Sequence, residues 1–135
     1  MSCSNSQIQL DKLSEQINIV DTQAWINLMP GGPGSFHITG EYEIDKSNSE
    51  DLKLKKVIVY ADNNIIYDIK SDNLSDELQI DEIIKKLKYR FNIQPGLKLN
   101  DTIRIVETID IKFIFEFKGR EIEKMINDVY LTRAY

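Results

Sequence analysis

The stretch Ile109-Asp110-Ile111-Lys112-Phe113-Ile114-Phe115-Glu116-Phe117 decides the fold. Ile109, Ile111, Phe113, Phe115 and Phe117 fall on one side of an extended chain, and Asp110, Lys112 and Glu116 on the other. Successive side chains of a strand point to opposite faces, so a period of two with one apolar face marks a half-buried strand of an antiparallel sheet. Ile114 is the one apolar residue on the second face. Lys118-Gly119 then makes a tight turn, and Ile122 to Leu131 returns. The apolar phase of that return slips between Ile122 and Val129, which predicts a bulge near Met125 to Asn127.

Working back along the chain, the same period recurs. Phe36, Ile38, Gly40, Tyr42 and Ile44 alternate with His37, Thr39, Glu41 and Glu43. Leu52 to Tyr60 reads as another strand, with Val57, Val59 and Ala61 in phase. Asp62-Asn63-Asn64 supplies residues that tolerate positive φ, a hairpin signal, and Ile65, Tyr67 and Ile69 form the return. Tyr89, Phe91 and Ile93 give a further strand ending at Pro95-Gly96, and Ile103 with Ile105 one more. Only one stretch has helical spacing. Ile80, Ile83, Ile84 and Leu87 sit at i, i+3, i+4 and i+7, with Ser75 or Asp76 as a cap, which predicts a short helix near 76–86.

Seven to nine short strands with turn signals every eight to twelve residues or so are the signature of an antiparallel two-sheet β-sandwich, immunoglobulin-like in the broad sense. A lipocalin-like barrel is the second choice, because the hairpin meander it needs is interrupted at 71–86. Parallel α/β architecture is disfavoured, since no helical crossovers separate the strands. The 21 Ile against 3 Ala agree, Ile being stiff and β-favouring where Ala favours helix.

At 135 residues the chain makes one domain with a core that needs no disulfide or metal. The expected division is a flexible polar tether over 1–7 and a single sandwich domain over 8–135. The net charge of -5 argues against nucleic acid or anionic membrane as the main partner, both of which need a basic footprint. One Cys excludes an internal disulfide, and one His excludes most zinc sites. No run of about 18 apolar residues exists to form a spanning helix.

Ser2-Cys3-Ser4-Asn5-Ser6 resembles the junction at which bacterial lipoproteins are cut and lipidated, a small residue preceding the Cys and a polar tether following it. That resemblance implies Cys3 as a lipid attachment site and an extracytoplasmic, lipid-anchored or periplasmic location, with the membrane reached only through the anchor. The alternative is a cytoplasmic protein with a frayed terminus and a free thiol.

The densest breaker cluster is Pro30-Gly31-Gly32-Pro33-Gly34, which cannot continue a helix or a paired strand and reads as an exposed loop. Trp25 and Met29 precede it and His37 follows. Loops at the end of a sandwich are where such folds bind peptides, glycans or proteins, so Trp25, Met29, Pro30, Gly31, Gly32, Pro33 and His37 form the candidate binding site. The segment from Asp21 to Pro30 is similar to the opening of periplasmic copper chaperones, which hold Cu(I) with several His and Met ligands. Here no His follows residue 37, and Met125 is the only Met after Met29, so soft ligands are too few to carry that function over.

No catalytic residue is assigned. The chain has no G-x-S-x-G elbow, and His37 lies on a strand's polar face far along the chain from Cys3. Asp68, Asp72, Asp76, Glu77, Asp81 and Glu82 cluster around the irregular segment, but the glycine-containing calcium-loop pattern is missing, and a solvated charged loop is the simpler reading. No metal or other cofactor is expected. The sequence therefore predicts a non-enzymatic extracytoplasmic binding or accessory domain whose partner is a protein, peptide or glycan. The competing readings are a small carboxylate-based hydrolase and a periplasmic metal-handling protein.

Overall fold

The computed structural model describes residues 14–45, 51–79, 86–93 and 96–135. Most of these residues lie in nine strands: β1 (Asn18–Asn27), β2 (Ser35–Asp45), β3 (Leu52–Ala61), β4 (Asn64–Lys70), β5 (Leu74–Gln79), β6 (Lys86–Ile93), β7 (Leu97–Lys98), β8 (Thr108–Phe117) and β9 (Arg120–Ala134). The chain is nearly all β. The only helical residues described are 14–16 and two single 3-10 turns, Ser71–Asn73 and Thr102–Arg104.

The alternation read from the sequence is the alternation of burial. Along β2 the even-numbered residues from Phe36 to Ile44 are all buried and the odd ones half-exposed. In β8, Ile109, Ile111, Phe113 and Phe115 point inward, and Ile114 is buried on the second face. Both expected tight turns form with positive φ, at Asp62-Asn63 and at Lys118-Gly119. Positive φ at both central residues gives a turn twisted like its flanking strands, which is why Asn, Asp and Gly recur there.

The strands form one continuous path, β4-β3-β8-β9-β1-β2-β6-β5, with β7 added beside the start of β2. All neighbours are antiparallel except β1 and β9, which run parallel over Ala24–Asn27 and Leu131–Ala134. The two outermost strands of the path, β4 and β5, are joined by only the three residues Ser71–Asn73. The path therefore curls until its ends come together, giving a nearly closed barrel of mixed strands. The expectation of two separate antiparallel sheets is met only in part. The long strand β9 pairs with β8 for most of its length and with β1 at its end, so it ties the two halves into one sheet.

Two local expectations are corrected. Leu74–Gln79 is a strand paired with β6, so the helix expected near 76–86 does not begin at Ser75 or Asp76; residues 80–85 lie outside the described ones. Ile103 and Ile105 belong to a 3-10 turn and its exit. Ile103 is fully buried, while Ile105 is 81% exposed, an outcome that a strand's period of two forbids.

The core is a single cluster running from Ile17 to Leu131. Its centre is aromatic. Phe91 meets Phe113 edge to face at 5.2 Å, and Tyr42 meets Phe115 in the same way at 5.1 Å. These pairs join β2 and β6 to β8 across the barrel. Gly40 keeps them close. A Cβ there would overlap the Asp21 carbonyl oxygen and the Phe91 ring, so only glycine fits under that ring.

The Tyr42 hydroxyl donates to Asp76 Oδ2 at 2.8 Å, and burial, reinforced by the Asp76 charge, pushes the phenol far above its usual value. In the folded state Tyr42 keeps its proton; in the unfolded chain it loses it above about pH 10. Its contribution is therefore complete below pH 10 and declines by about 1.4 kcal/mol per pH unit above it. Urea denaturation between pH 9 and 11 is expected to show stability falling more steeply in the wild type than in Tyr42→Phe, by one proton's worth of slope. Equal slopes would show that the phenol is not held protonated.

Candidate functional site

The loop between β1 and β2 stands where the sequence placed it. Met29, Pro30, Gly31, Gly32 and Pro33 are all exposed. The loop is tied down at its base, where the Leu28 N–H donates to the Ala134 carbonyl and the Met29 N–H to Asn27 Oδ1. Arg104 reaches the Pro33 carbonyl at 3.4 Å. The loop is thus anchored to the C-terminal end of β9 and to the 3-10 turn at Thr102–Arg104, with Met29, Ile105 and Tyr135 exposed at that end.

Trp25 and His37 come together, but as a packed pair. They are register partners in the β1–β2 ladder, and their rings stack with centroids 5.2 Å apart and planes 10° from parallel. Gly96 also lies against the imidazole, where a Cβ would run into the ring. His37 Nε2 and Ser35 Oγ share a hydrogen bond of 2.7 Å. With one ring nitrogen bonded and both ring neighbours in place, His37 is built to brace Trp25 on the outer face. Aromatic pairs of this kind contribute about 0.5–1.5 kcal/mol. His37→Ala is expected to cost about that much in urea denaturation and to leave the fold intact; a loss above about 3 kcal/mol would give His37 a larger role than this packing supports.

The described acidic residues of the irregular segment do not converge. Asp76 accepts from Tyr42, Asp68 lies 4.0 Å from Lys56 Nζ, and Asp72 is exposed in the 3-10 turn. The side chains of Glu77, Asp81 and Glu82 lie outside the described set, as does Cys3 with the tether over 1–7. Among the described residues no three His, Cys, Asp or Glu side chains gather as a metal site would require.

One concavity among the described residues is one that the sequence did not point to. A cleft of about 670 Å³ lies between β1 and β9, lined by residues 19–25 on one side and by 126–130 and Thr132 on the other. Its origin is visible in the pairing. Ile19–Gln23 pair with β2 on one edge, Ile126–Tyr130 pair with β8 on one edge, and the β1–β9 ladder begins only at Ala24 and Leu131. Each rim carries a bulge, at Val20 in β1 and at Asn127-Asp128 in β9. Asp128 sits at φ 58°, its N–H taken by Asp110 Oδ1. Bulges increase local twist and bend the strand that carries them, so the two rims splay apart below their short parallel ladder. Trp25 stands at the closed end of the cleft, and Val20 and the 78%-exposed Tyr130 flank it.

The cleft's chemistry is specific. Thr22 Oγ1 is buried and has no hydrogen-bond partner among the described residues. Asp21 and Asp128 are exposed, and no Lys or Arg is among the described lining residues. The bulge in β9 was legible from the phase slip between Ile122 and Val129, and lies at the far end of the predicted stretch. What the sequence did not carry was the identity of the strand across from it. Comparison with protein-family models, with curated proteins and with solved structures gives no match.

Proposed function

We propose that this chain is a non-enzymatic binding domain of immunoglobulin-like order whose ligand is a protein or peptide. The strand order supports the architectural part. In the immunoglobulin arrangement one sheet runs A-B-E-D and the other C-F-G, with C′ added in the variable type. Lettering β1 to β6 as A, B, C, C′, D and E, and β8 and β9 as F and G, turns the observed path into C′-C-F-G followed by A-B-E-D. The observation that carries the binding part is the cleft between β1 and β9, where two strand edges face each other with no ladder between them. Backbone N–H and C=O groups require partners, and an unpaired edge is a template for another chain. The exposed loop end at Met29 to Pro33 adds an adjoining surface.

An extracytoplasmic setting is part of this reading. It is supported by the lipoprotein-like residues Ser2 to Ser6 and tested by expressing the full native reading frame. Membrane association of the wild type and its loss in Cys3→Ser is the expected result; equal soluble fractions would return the protein to the cytoplasm.

A second reading, a carboxylate-based hydrolase, has one observation in its favour: Asp21 and Asp128 line the same cleft from opposite rims. A general acid, however, needs an environment that keeps it protonated near neutral pH, usually an apolar one. Both carboxylates are exposed, which favours the binding reading.

Panning the full-length protein against a library of random linear peptides tests the binding reading. Trp25, the single Trp, reports occupancy of the cleft through its fluorescence. Selected peptides that change this signal and shift the backbone resonances of residues 19–25 and 126–130 are the expected result. A panning that yields no binding peptide would overturn the reading.

A further inference from the structure

Resting on that binding reading, we propose that the β1–β9 cleft takes an extended, basic segment of another protein as an added strand, running antiparallel to both rims. The geometry restricts what can enter. Below their ladder the two rims are five residues each, Ile19–Gln23 and Ile126–Tyr130, or roughly 16 Å of strand. Each has one edge already paired and the other facing the cleft. A single extended segment laid between them would pair on both of its own edges and complete the barrel wall there. Side chains alone satisfy neither row, which disfavours a compact ligand.

Direction follows from topology. β1 and β9 are parallel to each other, so an inserted strand is either parallel to both or antiparallel to both. Antiparallel ladders are slightly more stable per residue, and this selects the second arrangement. Charge follows from the lining. Asp21 and Asp128 stand on opposite rims with no cation among the described residues lining the cleft. An incoming Lys or Arg would meet a carboxylate on either side, whereas Asp or Glu would meet like charge.

The test uses the full-length chain and four synthetic peptides of seven residues. The first alternates valine and threonine with lysine at its centre. The second replaces that lysine with glutamate, the third replaces it with glutamine, and the fourth is the lysine peptide with alternate backbone nitrogens methylated. Binding is read by Trp25 fluorescence and by amide hydrogen exchange at residues 19–23 and 126–130. The lysine peptide is expected to bind and to slow exchange on both rims. The glutamate peptide should bind at least tenfold more weakly, and the methylated peptide, which cannot donate along one edge, should not bind. Asp21→Asn with Asp128→Asn should weaken the lysine peptide while leaving the glutamine peptide unchanged, a control that a misfolded variant would fail.

Equal binding of the methylated and unmethylated peptides would overturn strand addition and leave the binding reading standing. So would failure of all four peptides alongside successful panning. Equal binding of the lysine and glutamate peptides would overturn the basic preference. Rims already protected in the free chain, or protected only on formation of a dimer, would assign the cleft to this chain or to a second copy and overturn the proposal.

Discussion

Replacing Phe113 by alanine is expected to lower the unfolding free energy by about 3–5 kcal/mol, the usual cost of emptying a fully buried phenylalanine site. Phe113 is fully buried on β8, pairs with Val57 of β3 on one side, and packs edge to face against Phe91 of β6 across the barrel. Truncation removes the ring's burial and leaves a void that Phe91 and its neighbours fill only in part, because close-packed interiors relax incompletely. Urea denaturation of the purified variant measures the loss. A change below about 1 kcal/mol would mean that the two halves of the barrel do not meet at this point.

Gly40→Ala is expected to be the second most damaging of the substitutions considered, at about 1–3 kcal/mol, although it adds a single methyl group. Adding volume to a packed site forces neighbours off their preferred positions. Here those neighbours are the Phe91 ring and the Asp21 backbone carbonyl, and the carbonyl cannot swing aside as a long side chain would. The strain would fall on the segment of β1 beside its bulge, so the variant should also loosen the rim of the cleft. Denaturation midpoints measure the first effect and hydrogen exchange at residues 19–23 the second. A neutral Gly40→Ala would show that β1 and β2 are further apart than the register of Thr22 with Gly40 implies.

Much of the fold was legible because burial in a sheet writes itself into the sequence with a period of two. β2 and β8 could be read residue by residue, including the second-face burial of Ile114. The misreadings have local causes. Leu74–Gln79 shows no apolar alternation, since an edge strand held by its ladder to β6 needs little from its side chains, and the Ile80, Ile83, Ile84, Leu87 spacing beyond it invited a helix. At Ile103 the decisive residue was Asn100. Its side chain accepts from the Thr102 N–H and its carbonyl from the Ile103 N–H, which sets a turn where two isoleucines suggested a strand.

The candidate site was legible only in its loop. Two prolines and three glycines mark Pro30 to Gly34 as irregular wherever the chain goes, and Trp25 lies two residues before the end of the strand that leads into it. The pairing of Trp25 with His37 could have been found from the hairpin register, because a loop between two strands fixes which residues stand opposite each other. The cleft could not. It is made by strands β1 and β9, far apart in the sequence, and it exists because a parallel ladder of four residue pairs stops at Ala24 and Leu131. Periodicity records which face of a strand is buried, and it carries no record of which strand lies along an edge.

Backbone amide exchange on the free, full-length protein tests the central claim most directly. The rims of the cleft are open edges below a short closed ladder, so protection should change abruptly along each strand. Within Ala24–Asn27 and Leu131–Ala134, amides on both edges are expected to be protected. Within Ile19–Gln23 and Ile126–Tyr130, only those directed at β2 or β8 should be, with the remainder exchanging orders of magnitude faster. Uniform protection along both strands would contradict the account, because it would mean that the edges are already paired and that no strand-binding cleft exists.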